Sequence, residues 1–346
     1  MKTRGYVAHA PRTELVPFEF ERRELRAHDV AFDVLYAGIC HSDIHQAREE
    51  WGPSLFPMVP GHEIIGVVTA LGAQASRFRV GERIGVGVFV DSCRNCEHCR
   101  NGLQQYCTAG MTPTYNGYER DGSTIAFGGY CTGFVVDEDF AVHVSESLDP
   151  AGAAPLLCAG ITLYSPLRRW GVGPGKRVGI IGLGGLGHMG VKFAHAMGAD
   201  VTVFSHSPQK EADALALGAD HFIVTSKDAT WAEADERYDL IINATSADID
   251  LNPYLRLLDL DGSLVIVGLS GVPVQIHQHL LLEARRSISG SQIGGMTELQ
   301  EMMDFCAQHD ITSQVEVVNA DYINQAWERT VASDVKYRFV IDASTF

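Results

Sequence analysis

Four of the eight cysteines lie close together in the sequence and have the spacing of a metal site. Cys93, Cys96, Cys99 and Cys107 form the pattern C-x2-C-x2-C-x7-C. Four thiolates around Zn²⁺ make a closed tetrahedral site, which is structural because no position is left for a substrate. An iron–sulfur cluster is the alternative, but such runs continue with x3-C-P, whereas Thr108 follows the fourth cysteine here. The pattern therefore favours a structural zinc lobe.

Three further residues could hold a second, catalytic metal, although they are far apart in the sequence. Cys40 follows an apolar run, His62 follows the turn at Pro60-Gly61, and Cys158 precedes the second half of the chain. Two thiolates and an imidazole leave one coordination position open for water or a substrate oxygen, as catalytic zinc requires. Spacing alone leaves each residue ambiguous, since a single cysteine is more often a small buried hydrophobe.

A glycine motif predicts a dinucleotide site. Gly182, Gly184 and Gly187 form G-x-G-x-x-G directly after the apolar run 177–181 and open a segment with helical periodicity. The first glycine permits a tight turn, the second lets a pyrophosphate approach the backbone, and the third lets helix and strand pack closely. The helix N-terminus supplies amide donors to the phosphates. The predicted loop comprises Gly182, Gly184, Gly185, Leu186 and Gly187.

The end of the next predicted strand indicates which dinucleotide binds. An NAD site usually carries an acidic residue there to hold the ribose 2′-hydroxyl, but no carboxylate occurs between Ser205 and Glu211. Hydroxyls and a lysine suit a 2′-phosphate, so the sequence predicts NADP(H). A local interpretation holds alongside, because Ser207 as N-cap and Pro208 at the first helical position simply start a helix. The predicted phosphate-binding residues are Ser205, His206, Ser207 and Lys210.

Two kinds of architecture must position these residues. Residues 1 to about 150 have the short β-branched runs and turns of a β-rich domain. From about residue 152, short apolar runs alternate with helical segments, which predicts a doubly wound parallel sheet and an α/β fold. The tail from about 292 is mixed. The predicted strands are 30–35, 64–70, 177–181, 201–204, 221–224, 240–243, 264–267 and 337–341.

Taken in order, the motifs resemble those of the zinc-dependent medium-chain alcohol dehydrogenases over essentially the whole chain. The shared motifs are Cys40-His41-Ser42-Asp43-x-His45, Gly61-His62-Glu63-x-x-Gly66, the cysteine lobe, Cys158-Ala159-Gly160-Ile161-Thr162 and the glycine loop. The chain is most similar to the cinnamyl-alcohol-dehydrogenase-type branch of NADP(H) aldehyde reductases, with Trp51-Gly52, Thr114-Tyr115-Asn116, Tyr164-Ser165-Pro166-Leu167 and Ser205-His206-Ser207.

That resemblance implies a fold and a reaction. A β-rich GroES-like catalytic domain is built from 1–151 and 292–346, and a Rossmann domain of 152–291 is inserted, with a cleft between them. The implied reaction interconverts primary alcohols and aldehydes with NADP(H), mainly as aldehyde reduction over a broad aliphatic and aromatic range. Two zinc ions are expected per chain. Homodimers are common in the family, and nothing in the sequence fixes the assembly.

The resemblance also implies the residues of the catalytic metal site. Cys40, His62 and Cys158 are the implied zinc ligands, and Glu63 is the acid that enters as fourth ligand when water leaves. Asp43 is the implied carboxylate that orients His62, a role with a clear physical basis.

Further residues carry implied roles around the reacting groups. Ser42 is expected to hydrogen-bond the substrate oxygen and His45 to carry the proton to solvent. Thr162 is expected near the nicotinamide, and Trp51 is expected to line the substrate pocket. Arg338 is expected near Glu63 or the cofactor phosphates.

Two features depart from the family pattern. Ser42 stands where relatives often have threonine. The stretch 117–122 does not closely match the family pattern, and it follows the zinc lobe, so the loop 117–126 is a candidate for contacting substrate. Cys131 and Cys306 match no site and are expected to be ordinary thiols.

The rival hypotheses are a zinc-free reductase of the quinone-reductase type, disfavoured by the three implied ligands, and a dinucleotide-binding sensor, disfavoured by the intact relay.

Length, charge and composition limit the function classes. The chain has 346 residues with 46% hydrophobic residues, enough for two domains with full cores. A formal charge of −16 argues against binding to nucleic acid or to anionic membranes. The N-terminal residues 1–10 contain no apolar core of signal-peptide length, and no uninterrupted apolar stretch of about 18 residues occurs. The expectation is a cytoplasmic protein whose partner is a small alcohol or aldehyde.

Overall fold

The chain divides into two compact units in the computed structural model, which describes residues 1–226, 231–232 and 237–346. The first unit is Met1–Ile161 with Gly294–Phe346, and the second is Thr162–Ile293. The limits predicted from the sequence, after 151 and before 292, lie ten and two residues earlier, and the domain assignment itself stays a prediction. In the described part of the chain, no helix is long and apolar enough to cross a membrane.

The strands of the described residues are numbered in chain order. They are β1 (Lys2–Val7), β2 (Val16–Glu21), β3 (Asp29–Ile39), β4 (Ile64–Leu71), β5 (Arg83–Val86), β6 (Phe89–Asp91), β7 (Thr112–Pro113), β8 (Gly117–Tyr118), β9 (Ile125–Ala126), β10 (Gly133–Asp137), β11 (Val142–His143), β12 (Arg177–Ile181), β13 (Asp200–Ser205), β14 (His221–Val224), β15 (Tyr238–Asn243), β16 (Leu258–Ile266), β17 (Ser287–Gly290), β18 (Val315–Val318) and β19 (Arg338–Asp342).

The α-helices of the described residues are numbered in the same way. They are α1 (His41–Ala47), α2 (Glu97–Arg100), α3 (Pro150–Ala153), α4 (Ala159–Arg169), α5 (Gly187–Ala196), α6 (Glu211–Ala216), α7 (Asn252–Arg256), α8 (His279–Leu282), α9 (Met296–His309) and α10 (Ile323–Val331).

The first unit is organised by one mostly antiparallel sheet with the order β11-β5-β4-β3-β19-β18, and β10 also pairs with β3. The long strand β3 pairs with β4, β10 and β19, all antiparallel. The pairing of Phe339 with Ile39 brings the C-terminal strand beside the end of β3. A residue at the start of β19 therefore lies next to residues that follow β3, although about 300 positions separate them in the sequence.

The second unit is a six-stranded sheet with the order β14-β13-β12-β15-β16-β17, in which every pairing is parallel. Counted within this unit, the order is 3-2-1-4-5-6, which is the doubly wound Rossmann arrangement. The strand order reverses between β12 and β15, and the glycine motif follows β12 at this point. The predicted α/β fold class is confirmed, because apolar runs separated by helical segments favour parallel crossover units.

The predicted strands lie where the structure has them, with small differences at their ends. The runs 177–181 and 221–224 match β12 and β14 residue for residue. The prediction 264–267 covers only the end of β16, since this strand begins at Leu258 and its register shifts where Tyr238 and Leu240 pair with it. The segment before Ser263 is irregular, and Asp261 in it has φ 63. Because Asp261 is charged, it also interrupts the apolar run from which a strand is predicted.

Candidate active site and metal centres

Four side chains from three separate segments converge inside the first unit. One ligand atom each from Cys40, His62, Glu63 and Cys158 lies within 4.8 Å of all the others, and all four residues are buried. Cys40 directly follows β3, His62 and Glu63 directly precede β4, and Cys158 follows a short 3-10 turn at Ala154–Leu157. Two adjacent antiparallel strands thus deliver three of the groups to one end of the sheet.

The segment before β4 is shaped so that His62 enters the cluster. Gly61 has φ 102, a left-handed conformation that favours glycine. A Cβ at this position would also lie 2.5 Å from the Tyr130 ring. The turn predicted at Pro60-Gly61 therefore has two physical reasons for its glycine.

A buried carboxylate orients the imidazole of His62. Asp43 Oδ1 accepts hydrogen bonds from His62 Nδ1 at 2.9 Å and from Gly61 N at 3.2 Å. Its Oδ2 accepts from Cys40 N and from the Tyr130 hydroxyl, each at 3.0 Å. Asp43 is 0% exposed. Because Nδ1 donates to Asp43, Nε2 is the nitrogen left to bind a metal.

Glu63 is the member of the cluster with an unsatisfied atom. Its Oε1 accepts from Arg338 Nη2 at 2.5 Å, while its Oε2 is buried without a hydrogen-bond partner. Burial raises the pKa of Glu63 to about 8, against the opposing charge of Arg338. A buried orphan oxygen beside two thiols and an imidazole is what a bound cation satisfies. The residues therefore fit a zinc ion.

Arg338 lies at the first of its two predicted locations, beside Glu63. It also donates to Ile39 O from Nε at 3.2 Å and from Nη2 at 2.9 Å, and it is buried. Its role toward the cofactor phosphates stays a prediction.

The two thiols of the cluster differ in their pKa values. The neighbouring Cys158 thiol holds the pKa of Cys40 well below its usual value, and the charge of Arg338 lowers it further. The same contact with Cys40, together with burial, raises the pKa of Cys158. Burial lowers the pKa of His62, but the charge and hydrogen bond of Asp43 outweigh it and hold that pKa above its usual value. Metal binding requires all of these ligands in their deprotonated forms.

The four cysteines of the predicted lobe form a second cluster whose sulfur atoms all lie within 4.8 Å of one another. Cys96 Sγ lies 3.4 Å from Cys99 Sγ, and Cys93 Sγ lies 3.9 Å from Cys99 Sγ. The backbone N–H groups of Cys99 and Thr108 lower the pKa of Cys96 to about 5, whereas burial raises the pKa of Cys99 to about 11. Backbone N–H groups directed at sulfur stabilise thiolates, the form that binds zinc.

Replacing Cys99 with serine is expected to lower both zinc content and stability, because a closed four-thiolate site contributes folding free energy. Zinc should fall from two ions per chain to about one, with a lower Tm. Cys306→Ser is the matched control, since Cys306 is equally buried but contacts Met302 in α9. Metal analysis and thermal unfolding check both variants. Full zinc and an unchanged Tm in Cys99→Ser would show that the assignment of a zinc ion to these four cysteines is wrong.

The predicted proton relay lies on α1, beside the cluster that contains Cys40. Ser42 Oγ is 3.5 Å from Cys40 Sγ. His45 is one helical turn further along, and its Nδ1 lies 2.5 Å from Glu50 Oε2. The His45 ring stacks on Trp51 with a centroid distance of 4.8 Å. Trp51 is 43% exposed. The predicted pocket residue thus lies against the predicted relay histidine, and both roles stay predictions.

The glycine motif of the second unit connects β12 to α5. Gly182 has φ 89, and its N–H donates to Phe204 O at 2.8 Å. A Cβ at Gly187 would run into the Gly182 carbonyl, whereas a Cβ at Gly184 would meet open space. Gly182 and Gly187 are therefore required by the turn itself, and Gly184 leaves a free approach to the backbone, as pyrophosphate binding needs.

The predicted phosphate-binding residues follow β13 in the same unit. Ser205 is its last residue, and its Oγ accepts from Ser207 N at 3.2 Å. A 3-10 turn starts at Pro208 with Ser207 at the N-cap position, as predicted, but the Ser207 side chain makes no capping hydrogen bond. Lys210 donates from Nζ to Leu183 O at 2.8 Å, which brings it to the glycine loop, and burial lowers its pKa. His206 is exposed, and Thr162 is buried.

The loop 117–126 forms a hairpin held by charged contacts. Glu119 accepts from Arg23 Nε at 2.8 Å and pairs with Arg26 Nη1 at 2.7 Å. Arg120 donates to the Gly110 carbonyl next to the cysteine lobe. The contact of this loop with substrate stays a prediction. Cys131 and Cys306, expected to be ordinary thiols, are both fully buried.

Of the donors that hold Asp43, only His62 was predicted from the sequence, and Tyr130 is the most distant of the others along the chain. The only local signal is the run Phe127-Gly128-Gly129-Tyr130, in which two adjacent glycines precede a tyrosine. A Cβ at Gly128 would run into the Pro60 carbonyl, so the pair allows two backbones to approach closely.

A parallel sheet with a glycine-rich turn at its switch point, together with two cysteine-containing clusters, defines a metal-dependent dinucleotide oxidoreductase. Residues 26–146 match the alcohol dehydrogenase GroES-like domain family, and residues 185–308 match the zinc-binding dehydrogenase family. The NADP-dependent alcohol dehydrogenase C 1 of Mycolicibacterium smegmatis is 53% identical over 342 residues, which cover 99% of this chain and 98% of that relative.

Two solved structures agree in fold. Cinnamyl alcohol dehydrogenase SbCAD4 from Sorghum bicolor has a TM-score of 0.95 at 43% identity, over 99% of this chain and 98% of that one. CAD from Helicobacter pylori, complexed with NADP(H), has a TM-score of 0.92 at 38% identity, with the same coverage. The chain therefore belongs to the zinc-binding alcohol dehydrogenases, in the branch that resembles cinnamyl alcohol dehydrogenases. It is a zinc- and NADP(H)-dependent enzyme that interconverts alcohols and aldehydes.

Proposed function

We propose that Cys40, His62 and Cys158 hold the catalytic zinc, that Glu63 is its exchangeable fourth ligand, and that the enzyme mainly reduces aldehydes. One observation carries this proposal. Four ligand atoms from three separate segments lie within 4.8 Å of one another, and one of them belongs to Glu63, whose Oε2 is buried without a hydrogen-bond partner. Two thiolates and one imidazole leave room for a substrate oxygen, whereas the four-thiolate lobe does not.

The chain supplies orientation and proton transfer in this reaction. When bound, zinc supplies a Lewis acid for the carbonyl oxygen, and NADP(H) supplies the hydride for the carbonyl carbon. Ser42 lies beside Cys40, so its hydroxyl is placed to donate to an oxygen at the metal site. His45 is half-buried and held by Glu50, so it is placed to exchange a proton between Ser42 and solvent. Asp43 holds His62 in the required tautomer.

The cofactor assignment rests on residues of the second unit. Gly182, Gly184 and Gly187 shape the turn at which the pyrophosphate binds, and the α5 N-terminus faces it. Ser205 and Lys210 are the groups proposed to bind the 2′-phosphate. A hydrogen bond from Lys210 Nζ to the Leu183 carbonyl holds the lysine beside the glycine loop.

The proposed substrates are aliphatic and aromatic aldehydes. Hydride transfer involves only the carbonyl carbon and oxygen of the aldehyde. The enzyme therefore selects the rest of the aldehyde by how that group packs in the pocket. Trp51 offers a large apolar ring at the relay histidine, and such a surface discriminates weakly between apolar substrates of different size.

Removal of metal provides the direct test of the proposed centre. Purified protein is expected to contain two zinc ions per chain, one for each cluster. Exposure to a chelator should release the catalytic zinc first, because that site has an open position whereas the lobe is closed. Aldehyde reduction should fall in proportion to the first zinc lost and return when zinc is added. Undiminished turnover after loss of that zinc would instead favour a zinc-free reductase.

We also propose that the enzyme is a homodimer formed through the second unit. Strand β17 is an edge of its sheet among the described residues, and an unpaired edge is a template for another strand. Leu260 and Leu282 are 62% and 81% exposed, and the bond from Asp261 N to Ala284 O keeps their segments together. Sedimentation velocity tests this proposal, and a monomer at all concentrations would reject it.

A cytoplasmic location is proposed on chemical grounds. Zinc binding requires reduced thiols, and none of the eight cysteines forms a disulfide in the structure. Cell fractionation tests the location, and recovery of the protein in an oxidising compartment would contradict it.

A further inference from the structure

The loop 127–133 is paired along its backbone with the segment that carries His62. Gly128 N donates to Val59 O at 2.7 Å, and Gly129 N donates to Gly61 O at 2.9 Å. Tyr130 N adds a bond to the Pro60 carbonyl at 3.0 Å. Three consecutive hydrogen bonds thus fix this loop against the three residues that precede His62.

The side chain of Tyr130 reaches the carboxylate that orients His62. Tyr130 is 0% exposed, and its hydroxyl donates to Asp43 Oδ2 at 3.0 Å. The other oxygen of Asp43 accepts from His62 Nδ1 at 2.9 Å. A buried carboxylate keeps a fixed orientation only if its lone pairs are satisfied. The Tyr130 phenol is a side-chain donor to the oxygen of Asp43 that His62 does not use.

Arg22 holds the same loop from its other side. Its Nη1 donates to Phe127 O at 2.5 Å, and its Nη2 donates to Gly128 O at 2.6 Å. Its Nε donates to Gly133 O at 3.2 Å, and its guanidinium carbon lies 4.3 Å from the centroid of the Phe134 ring. One rigid guanidinium therefore bridges both ends of the loop, which a lysine cannot do.

We propose that Tyr130 is a positioning residue for the catalytic metal site, and that Arg22 acts on the site through Tyr130. The path runs from Arg22 through the loop to Tyr130, then to Asp43 and His62. This inference rests on the proposed function, because it assumes that His62 is a ligand of the catalytic zinc. Groups that orient a metal-bound histidine typically change metal affinity or activity by about 10- to 100-fold when they are lost.

The rate of zinc release tests the inference. The zinc of the cysteine lobe serves as an internal control, because each molecule is expected to hold one zinc in each cluster. Tyr130→Phe removes only the hydroxyl, and the rate at which each zinc passes to a colorimetric chelator is measured on the holoenzyme. We expect the catalytic zinc to leave about tenfold faster, whereas the rate from the cysteine lobe is unchanged. Tyr238→Phe is the matched control, since the buried Tyr238 hydroxyl donates to Thr202 Oγ1 at 3.1 Å in the second unit.

A double-mutant cycle tests the role of Arg22. Arg22→Lys keeps the positive charge but loses the guanidinium hydrogen bonds to the carbonyls of Phe127, Gly128 and Gly133. It should therefore also speed release of the catalytic zinc. In the Tyr130→Phe background the same change should add less than about twofold, because residues that act along one path are non-additive. Equal effects of Arg22→Lys in both backgrounds would overturn the path through Tyr130. If the catalytic zinc leaves Tyr130→Phe at the wild-type rate, Tyr130 is not a positioning residue.

Failure of the inference differs from failure of the proposed function. If wild-type protein holds only the lobe zinc, or if His62→Ala leaves the release of both ions unchanged, the proposed catalytic site is wrong. If both ions are present and His62→Ala loses one of them, but Tyr130→Phe matches wild type and Tyr238→Phe, only the inference on Tyr130 is wrong.

Discussion

Replacing His62 with alanine is expected to lower kcat/KM for aldehyde reduction by about a thousandfold or more, while the Kd for NADPH changes by less than about twofold. Loss of the imidazole removes one of three fixed ligands, and a metal's stabilisation of developing charge is worth several kcal/mol, at about 1.4 kcal/mol for each factor of ten. Zinc content should fall from two ions per chain to about one. The glycine motif belongs to the second unit, so its fold should be unaffected.

Fluorescence titration with NADPH, metal analysis and steady-state kinetics measure these three quantities in the same preparation. His309→Ala is the matched control, because His309 is exposed at the end of α9 and contacts Phe305 rather than the metal cluster. A large loss of NADPH affinity with retained turnover would reverse the proposed division of labour between the two units.

Replacing Ser205 with aspartate is expected to move cofactor preference from NADPH toward NADH. The change places a carboxylate at the end of β13, where the 2′-phosphate is proposed to bind. Two like unit charges 4 Å apart repel by about 4 kcal/mol at an effective dielectric near 20. Screening and relaxation reduce this to about 1.5 to 3 kcal/mol, which corresponds to a loss of about ten- to a hundredfold. The same carboxylate accepts from the free 2′-hydroxyl of NADH.

The measurement is kcat/KM for both cofactors with one aldehyde. Ser205→Ala separates the two causes, since it removes the hydroxyl without adding a charge and should weaken NADPH by less than the aspartate does. Zinc content should stay at two ions per chain in both variants. The cofactor assignment fails if wild type already prefers NADH, or if the ratio of the two kcat/KM values does not move in Ser205→Asp.

Local patterns predicted the elements, because each strand and turn depends on neighbouring residues. The apolar run 177–181 and the glycines after it define β12 and the turn that follows. The cysteine spacing likewise brings four sulfurs together within fifteen positions of the chain. Apolar periodicity and cysteine spacing can both be read from a short stretch of sequence that contains the element.

Contacts between distant parts of the chain could not be predicted in the same way. Arg338 meets Glu63 across 275 positions, because β19 pairs with β3. The sequence alone offers no pattern that selects this pairing, and only the family resemblance placed an arginine there. The Tyr130 hydroxyl meets Asp43 across 87 positions. Sequence analysis expected a carboxylate to orient His62 but had no means of finding the donors that orient the carboxylate.

The central claim is that this chain reduces aldehydes with NADPH at a zinc centre. The direct test is the initial rate of NADPH consumption, matched to the alcohol formed, across aliphatic, benzylic and cinnamyl aldehydes, with protein shown to contain two zinc ions per chain. We expect turnover with several members of the panel and one alcohol formed for each NADPH consumed. Tight NADPH binding and full zinc without turnover of any aldehyde would contradict it and would indicate a dinucleotide-binding sensor.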